Sequence, residues 1–216
     1  MSSRGETNVE SRTDVNAVSV PAVNTREIDP EAAISAVRSF MASMGFDEGA
    51  HTAETPERVF RAWMKRTEGY DANPADILST RFPVEGDPGL VILSGLRFAS
   101  TCAHHLLPIE GVATVAYRPD RDRGEVVGLS KLARLLRVYA SRLQVQETLG
   151  RQTVDALISH LSPIGAGVAI TARHGCMSLR GIDEQGAATT TLSVGGAWTS
   201  EHPDVAHLME EHAKRS

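Results

Sequence analysis

Residues 102–105 place a cysteine and two histidines within four positions of the chain. The only other cysteine, Cys176, lies two residues after a further histidine, His174. Cysteine thiolate and histidine imidazole are the ligand types that zinc prefers. The spacing therefore predicts a zinc site in which Cys102, His105 and Cys176 are the protein ligands.

The spacing also bears on the geometry of this site. Cys102 and His105 are three residues apart, so they converge in a turn but face opposite ways on a strand. His174 and Cys176 are two residues apart, and we expect one face of a strand to carry both. Three protein ligands leave a fourth position open, as in catalytic zinc sites. His104 and His174 would then be spare imidazoles beside the metal, available for proton transfer.

Two other interpretations of the cysteines stay open on spacing alone. Free cysteine is among the most buried residue types, so Cys102 and Cys176 could be ordinary core thiols. They could also pair as a disulfide, although no secretory signal argues for an oxidising compartment. The Cys-x-His-His motif is short, and a short motif needs structural context before it identifies a metal site.

The composition is that of a globular protein. Of 216 residues, 41% are hydrophobic and 23% are charged, which is enough for one substantial domain with attachments. The sequence contains no apolar run of about eighteen residues and no signal-peptide pattern at its N-terminus. Its net charge of −5 argues against nucleic-acid binding. We therefore expect a cytoplasmic enzyme without nucleic-acid or membrane partners.

Two start signals predict helices in the N-terminal part of the chain. Asp29 and Pro30 fit the N-cap and first position of a helix, and Thr55-Pro56-Glu57-Arg58 repeats the signal. Residues 1–25 show no sustained period and are expected to be disordered. We divide the chain into a disordered tail (1–25), a helical region (26–82), a catalytic domain (83–200) and a C-terminal helix or tail (201–216).

Four strands and two helices are predicted within the catalytic domain. The strands lie at residues 90–98, 111–117, 165–173 and 188–194, where β-forming residues stand between turn signals. Amphipathic helices at residues 129–139 and 145–161 separate the two strand pairs. This order predicts an α+β fold, a four-stranded antiparallel sheet with two helices on one face, preceded by the helical region.

Several polar positions have a structural explanation on spacing alone. Glu147 lies near a helix start, where a carboxylate is favourably placed. Cations three residues apart on the preceding helix suggest a solvated face: Lys131, Arg134 and Arg137. The C-terminal helix is expected to be polar, with these histidines in solvent: His202, His207 and His212.

Seven separated motifs occur in one order along the chain: Thr55-Pro56-Glu57-Arg58, Ser100-Thr101-Cys102-Ala103-His104-His105, Gly128-Leu129-Ser130-Lys131, Gln144-Val145-Gln146-Glu147, His174-Gly175-Cys176, Arg180-Gly181 and Thr189-Thr190-Thr191. From about residue 55 to residue 196, they resemble the GTP cyclohydrolase I family. The resemblance implies a tunnelling fold, in which sheets of neighbouring subunits join into a barrel. Two such rings would stack into a homodecamer with active sites between subunits.

The resemblance further implies a reaction. GTP and water would become 7,8-dihydroneopterin triphosphate and formate, by hydrolysis of a cyclic amidine C–N bond and rearrangement of the sugar. This reaction belongs to tetrahydrofolate biosynthesis and one-carbon metabolism. Zn²⁺ held by Cys102, His105 and Cys176 would activate the water that attacks C8 of guanine. His174 would protonate the ring nitrogen, and His104 would act as acid and base near the ribose.

Other positions take substrate-binding roles from the same resemblance. Ser130 matches a serine linked to the sugar rearrangement. Glu147 matches the carboxylate that reads the N1–H and 2-amino group of guanine, with Gln146 beside it. Four cations match ligands of the triphosphate, the last of them contributed by a neighbouring subunit: Lys131, Arg134, Arg180 and Arg58.

The sequence departs from the family pattern at three positions. Ala103 stands where glutamate is usual, Thr148 where arginine is common, and Ser178 where some members carry lysine. A missing carboxylate at position 103 would alter the orientation or the pKa of His104. Two alternatives therefore stay open beside the full reaction. One is a cyclohydrolase that stops at the ring-opened formamide, and the other is a purine- or pterin-binding subunit without turnover.

Overall fold

The computed structural model describes residues 26–46 and 49–216. The predicted disordered tail, residues 1–25, lies outside the described residues. The described chain contains an N-terminal group of helices, a central sheet and helices on both faces of that sheet. Among the described residues, no helix combines the length and the apolar character that a membrane span requires.

The N-terminal helices follow the predicted start signals. Helix α1 spans Pro30–Ser43, α2 spans Thr55–Arg66, a 3₁₀ turn spans Glu68–Tyr70 and α3 spans Pro74–Ile77. The side chain of Asp29 accepts a hydrogen bond from the amide of Ala32 at 2.9 Å, which caps α1. Asn73 caps α3 in the same way. The Asp29 cap confirms the predicted start of α1. Helix α2 begins at Thr55 as predicted, but Glu54 precedes it and makes no side-chain capping hydrogen bond.

Among the described residues, seven strands form two sheets: β1 (Arg81–Pro83), β2 (Val91–Cys102), β3 (Pro108–Arg118), β4 (Glu125–Val127), β5 (Leu143–Gln144), β6 (Gly165–His174) and β7 (Thr189–Gly196). The main sheet has the order β5-β2-β3-β6-β7. Its four long strands are antiparallel, and the two-residue β5 pairs parallel to β2. The four-stranded antiparallel sheet is therefore confirmed, with a short fifth strand added at one edge.

Helices cover both faces of the main sheet. Helices α4 (Leu129–Ala140) and α5 (Gln146–Leu161) pack on one face, as predicted, and share a core with Val115, Val168 and Ile170. The short helix α6 (Gly175–Ser178) follows β6 directly. Helix α7 (Pro203–Ala213) packs on the opposite face, against Ala116 and Ala169. Alternation of side chains along β3 and β6 separates these two apolar clusters.

The C-terminal helix differs from the polar, solvated helix that the sequence predicted. Val205 and Leu208 of α7 are fully buried against the sheet. His212 is also buried, with its two ring nitrogens 3.0 Å from Thr114 Oγ1 and 2.9 Å from Thr171 Oγ1. The prediction of a solvated His212 is therefore wrong, because two threonine hydroxyls on neighbouring strands satisfy the imidazole inside the protein.

The small sheet was not predicted either. Strands β1 and β4 pair antiparallel, and the amide of Val127 in β4 donates to the hydroxyl of Tyr117 at 3.0 Å. This bond fixes the start of α4 at the Tyr117 end of β3. Three-residue strands carry too little periodic pattern to be recognised from sequence. Leu129, the first residue of α4, is exposed at this end of the helix.

Candidate active site

The predicted metal ligands converge at one end of the main sheet. Ile109 of β3 lies between Ser100 of β2 and His174 of β6 in the strand register. Cys102, at the end of β2, and Cys176, just after β6, therefore lie on either side of the start of β3. Strand register, fixed over the whole sheet, brings together two cysteines that are distant in sequence.

A tight turn after Cys102 supplies the third ligand. The amide of Leu106 donates to the carbonyl of Cys102 at 2.9 Å, and the amide of Cys102 donates to the carbonyl of Leu107 at 2.8 Å. Leu106 has a φ of 58°, a left-handed conformation that L-residues adopt rarely. The turn returns His105 towards the strand end, with its Nδ1 3.8 Å from the Cys102 sulfur.

Cys176 reaches the cluster from a helix and not from a strand. The sequence predicted His174 and Cys176 on one strand face, but β6 ends at His174 and Cys176 belongs to α6. Gly175 makes this change of direction possible, because a Cβ there would lie only 3.0 Å from Pro108 Cδ. The helical turn separates the two side chains, so Cys176 joins the ligand cluster while His174 stays on the sheet.

The three candidate ligands form a compact donor set. Ligand atoms of Cys102, His105 and Cys176 all lie within 4.8 Å of one another. Both cysteines are free, so the disulfide alternative is not realised in the structure. Burial, followed by the neighbouring Cys102 thiol, raises the pKa of the Cys176 thiol. Two sulfur donors and one imidazole, without a carboxylate, form a donor set that suits zinc.

Two further histidines flank this donor set. His104 is exposed, and its ring stands edge-to-face against His105 with the ring centroids 6.1 Å apart. His174 is partly buried, and its Nε2 lies 2.7 Å from Oε1 of Gln146. The structure thus brings both predicted proton-transfer residues next to the cluster, one open to solvent and one held by a buried amide.

Helix α5 brings two of the predicted substrate-binding residues to the same end of the sheet. Gln146 and Glu147 are its first residues. Glu147 is exposed in the first turn, where the partial positive charge of the helix end favours a carboxylate. Gln146 is only 1% exposed, and its amide group is hydrogen-bonded inside the protein. An exposed acid and a buried amide therefore stand side by side, with different surroundings.

Arg180 also lies at the cluster. Its guanidinium nitrogen is 2.7 Å from Nε2 of His105. Arg180 is exposed and lies two residues after the end of α6. Of the four cations predicted to hold a triphosphate, Arg180 is the one that the structure brings next to the metal ligands of its own chain.

Ser130 and Lys131 lie at the other end of the sheet. They follow β4, which is bonded to Tyr117, whereas the cluster lies beside Ile109. The eight residue-to-residue steps from Ile109 to Tyr117 span roughly 27 Å along a strand. Both residues are therefore far from the cluster of their own chain.

The remaining two cations are also not part of this cluster. Arg134 lines a surface cavity of about 440 Å³ together with Glu68 and Asp71, and none of the predicted metal ligands lines that cavity. Arg58, on α2, pairs with Glu54 at 2.9 Å. Within one chain, therefore, the metal ligands and the four predicted triphosphate ligands do not come together in one place.

Two supports of the Cys102 segment were missed by the sequence predictions. Arg66, the last residue of α2, donates to the Ser100 carbonyl at 2.8 Å and to Thr101 Oγ1 at 2.7 Å. On the other side, the amide of Ala103 donates to the carbonyl of Gln144 at 2.9 Å. A cation in the last turn of a helix has an ordinary explanation in the helix dipole, so no local signal revealed this contact.

Comparison with known proteins gives a consistent result. A family model described as GTP cyclohydrolase I matches residues 33–213. A protein from Mycolicibacterium paratuberculosis named GTP cyclohydrolase 1 is 42% identical over 186 residues, covering 86% of this chain and 90% of that protein. Proteins of the same name from Bifidobacterium longum and Mycobacterium ulcerans are 45% and 40% identical, covering 79% and 94% of this chain and 85% and 97% of theirs.

A solved structure, the apo form of an archaeosine synthase QueF-Like, overlaps 52% of this chain and 97% of its own, with a TM-score of 0.42 and 17% identity. The family assignment does not depend on this partial overlap. It follows from the match along residues 33–213 and from relatives at 40% identity or more that extend over most of both chains. The chain belongs to the GTP cyclohydrolase I family.

Proposed function

We propose that this chain catalyses the zinc-dependent hydrolysis and rearrangement of GTP to 7,8-dihydroneopterin triphosphate, with release of formate. One observation carries the proposal. Two thiols and an imidazole stand within 4.8 Å of one another, with His104 and His174 beside them, in a member of this family. A core thiol pair would need neither the imidazole ligand nor the two flanking histidines.

Zinc fits the residues that are present. Burial raises the pKa of the Cys176 thiol, so its thiolate would be unfavourable without a nearby cation. Three protein ligands leave one coordination position for water or substrate, which is the pattern of catalytic zinc sites. When bound, zinc supplies Lewis-acid activation of water at neutral pH.

The two flanking histidines move protons in the proposed reaction. His174 gives a proton to the ring nitrogen of guanine as the five-membered ring opens. His104, which is exposed and close to His105, exchanges protons near the ribose as the sugar rearranges. Groups of this kind contribute typically ~10²–10⁴-fold to a rate. Two histidines at separate positions can serve two proton transfers in one reaction sequence.

Glu147 selects the base. An ionised carboxylate accepts two hydrogen bonds, and guanine presents two adjacent donors, N1–H and the 2-amino group. Adenine has an acceptor at N1 and no 2-amino group, so Glu147 would face an acceptor in that complex. A site built to bond polar groups rejects an analogue that lacks them by on the order of 10⁴-fold. GTP is therefore the proposed substrate and ATP is excluded.

The sugar and triphosphate are bound between chains. Arg180 approaches the cluster in its own chain, whereas Ser130, Lys131 and Arg134 are assigned to the site of a neighbouring chain. The separation of roughly 27 Å between the two ends of β3 supports this assignment. Arg58 of a neighbouring chain is a further candidate for a phosphate contact.

A homodecamer is the proposed assembly. The outer edges of β7 and of most of β2 have no strand partner among the described residues, and joining sheets would cover these edges. Complementation tests the shared site. A Cys176→Ser chain and a Lys131→Ala chain, each inactive alone, should regain partial activity when the two are unfolded and reassembled together. Absence of any recovery, with the assembly intact by sedimentation, would contradict a site shared between chains.

Product analysis with GTP tests the reaction. The full reaction gives one formate per GTP and a pterin that fluoresces after oxidation. An enzyme arrested after ring opening gives the formamide without formate, and a binding subunit gives neither product. Metal analysis should find about one zinc per chain, as three ligands in one cluster predict. A zinc-free preparation with full activity would exclude the proposed chemistry.

A further inference from the structure

The side-chain amide of Gln146 is among the most completely bonded groups near the site. Its nitrogen lies 3.1 Å from the Ile170 carbonyl, 2.9 Å from the Thr189 carbonyl and 3.1 Å from Thr191 Oγ1. Its oxygen lies 2.7 Å from Nε2 of His174. Because Gln146 is only 1% exposed, all four contacts are shielded from water. No polar atom of this amide is left to bind a substrate.

These contacts determine which way the amide points. Amide oxygen and nitrogen are assigned from their hydrogen-bond partners. The two backbone carbonyls, of Ile170 and Thr189, can only accept hydrogen bonds, so the group facing them must be the NH₂ donor. Turning the amide around would place its oxygen against two carbonyl oxygens in a buried environment, which is unfavourable. The oxygen of Gln146 therefore faces His174.

The orientation of Gln146 in turn determines the state of the histidine. An amide oxygen only accepts hydrogen bonds, so Nε2 of His174 must carry the hydrogen. In a neutral imidazole the other nitrogen, Nδ1, then holds the lone pair. Nδ1 is thus the nitrogen that can exchange a proton with a substrate, while Nε2–H stays bonded to the protein.

We propose that Gln146 is a positioning residue that holds His174 in the Nε2–H tautomer and fixes its ring for proton transfer through Nδ1. This inference rests on the proposed function, in which His174 passes a proton to guanine. The Nε2–H tautomer leaves Nδ1 free to take up that proton from water before passing it to the ring nitrogen. This role of Gln146 replaces the expectation, drawn from the resemblance, that Gln146 contacts the substrate beside Glu147. Of the first two residues of α5, the exposed Glu147 binds the base and the buried Gln146 orients His174.

The kinetic test removes the hydrogen bonds while keeping the side-chain volume. Gln146→Met should lower kcat for GTP by ~10–100-fold, as loss of an orienting partner typically does, with KM changed little. In a His174→Ala background the same substitution should lower kcat no further, because Gln146 acts through His174. Gln152→Met is the matched control. It removes a glutamine of the same helix, bonded to Gln144 at 2.8 Å, and should leave kcat near its original value.

Two further measurements separate this role from simpler ones. GTP binding to the His174→Ala protein should be the same with Gln146 and with Met at that position. Weaker binding in the double variant would mean that the amide contacts the substrate, and equal kcat losses in both backgrounds would mean a purely structural role. Should Gln146→Met fail to fold, Thr191→Val can replace it, because it removes one acceptor of the Gln146 amide. It should cause a smaller loss of kcat, and no further loss in the His174→Ala background.

The tautomer itself can be observed without turnover. Solid-state ¹⁵N NMR of histidine-labelled protein should show His174 protonated at Nε2, with the resonance assigned from its absence in His174→Ala. Neutral His174 carrying its hydrogen on Nδ1 would overturn the inference even in an active enzyme. If the protein releases no formate from GTP, the proposed function fails. The tautomer, read from the same spectra, then still decides whether Gln146 holds the imidazole.

Discussion

The contact between Arg66 and the end of β2 leads to a quantitative prediction. Arg66 donates from two nitrogens to Thr101 Oγ1, at 2.7 and 3.0 Å, and to the Ser100 carbonyl at 2.8 Å. Thr101 is 1% exposed and Ser100 is 3% exposed, so water cannot replace the lost partner easily. Hydrogen bonds from a charged group contribute about 1.5–3 kcal/mol, and a buried acceptor left unpaired costs a similar amount.

Arg66→Met should therefore destabilise the protein by roughly 2–4 kcal/mol, since methionine keeps the helix propensity and much of the side-chain length. Because Cys102 follows Thr101 directly, the segment that holds a metal ligand should also become less ordered. Zinc affinity should fall by about tenfold, in the range typical for partners that orient a ligand.

Denaturant unfolding of zinc-loaded and zinc-free protein measures the first effect, and competition with a chromogenic chelator measures the second. Arg61→Met is the matched control, because Arg61 is exposed on the same helix. It should change stability by less than about 0.5 kcal/mol. If Arg66→Met and Arg61→Met are equally stable and bind zinc equally well, the proposed support of the ligand segment is refuted.

Four other predictions concern the site and the C-terminal helix. Cys176→Ser should lose zinc and formate release together, by metal analysis and product assay. His104→Ala should keep zinc while kcat falls by ~10²–10⁴-fold. If the variant loses zinc instead, His104 is the metal ligand and His105 is the proton-transfer residue. Glu147→Ala should keep zinc and lose GTP turnover, whereas unchanged kinetics would leave only a helix-dipole effect of ~0.3–1 kcal/mol. Burial lowers the pKa of His212 below its ordinary 6.5, so the unfolded chain binds the proton more readily. Stability should then fall as pH decreases through about 6.5, more steeply than in His212→Gln, when denaturation midpoints are compared.

Local patterns were sufficient to predict most of the framework. The cap at Asp29, the start of α2 at Thr55, the two core helices and the four long strands all follow from signals that span a few residues. The cysteine and histidine spacing also selected the three residues that converge within 4.8 Å. Residue type carries this information, because few side chains other than cysteine and histidine form such a cluster.

Long-range contacts account for what the sequence did not predict. The buried amide of Gln146 is hydrogen-bonded to carbonyls 24 and 43 residues away in sequence. No pattern within its own helix predicts these partners. His212 is satisfied by a threonine 98 residues earlier, so its spacing from other histidines was uninformative. Cys176 lies in α6 and not on the predicted strand, at a point where Gly175 packs closely against Pro108. In each case the partner is set by strand register and not by neighbours in sequence.

The packing of α7 has a practical consequence for handling the protein. His212 joins two strands through Thr114 and Thr171, and Thr171 continues to Thr190 at 2.8 Å, so the end of this helix connects β3, β6 and β7. Residues 213–216 are exposed, and an affinity tag added after them should be harmless. A protease cut or stop codon before residue 212 would instead uncover Thr114 inside the sheet. The last turn of α7 therefore covers Thr114 and holds three strands together, and the shortest form of this protein that stays folded should end after His212.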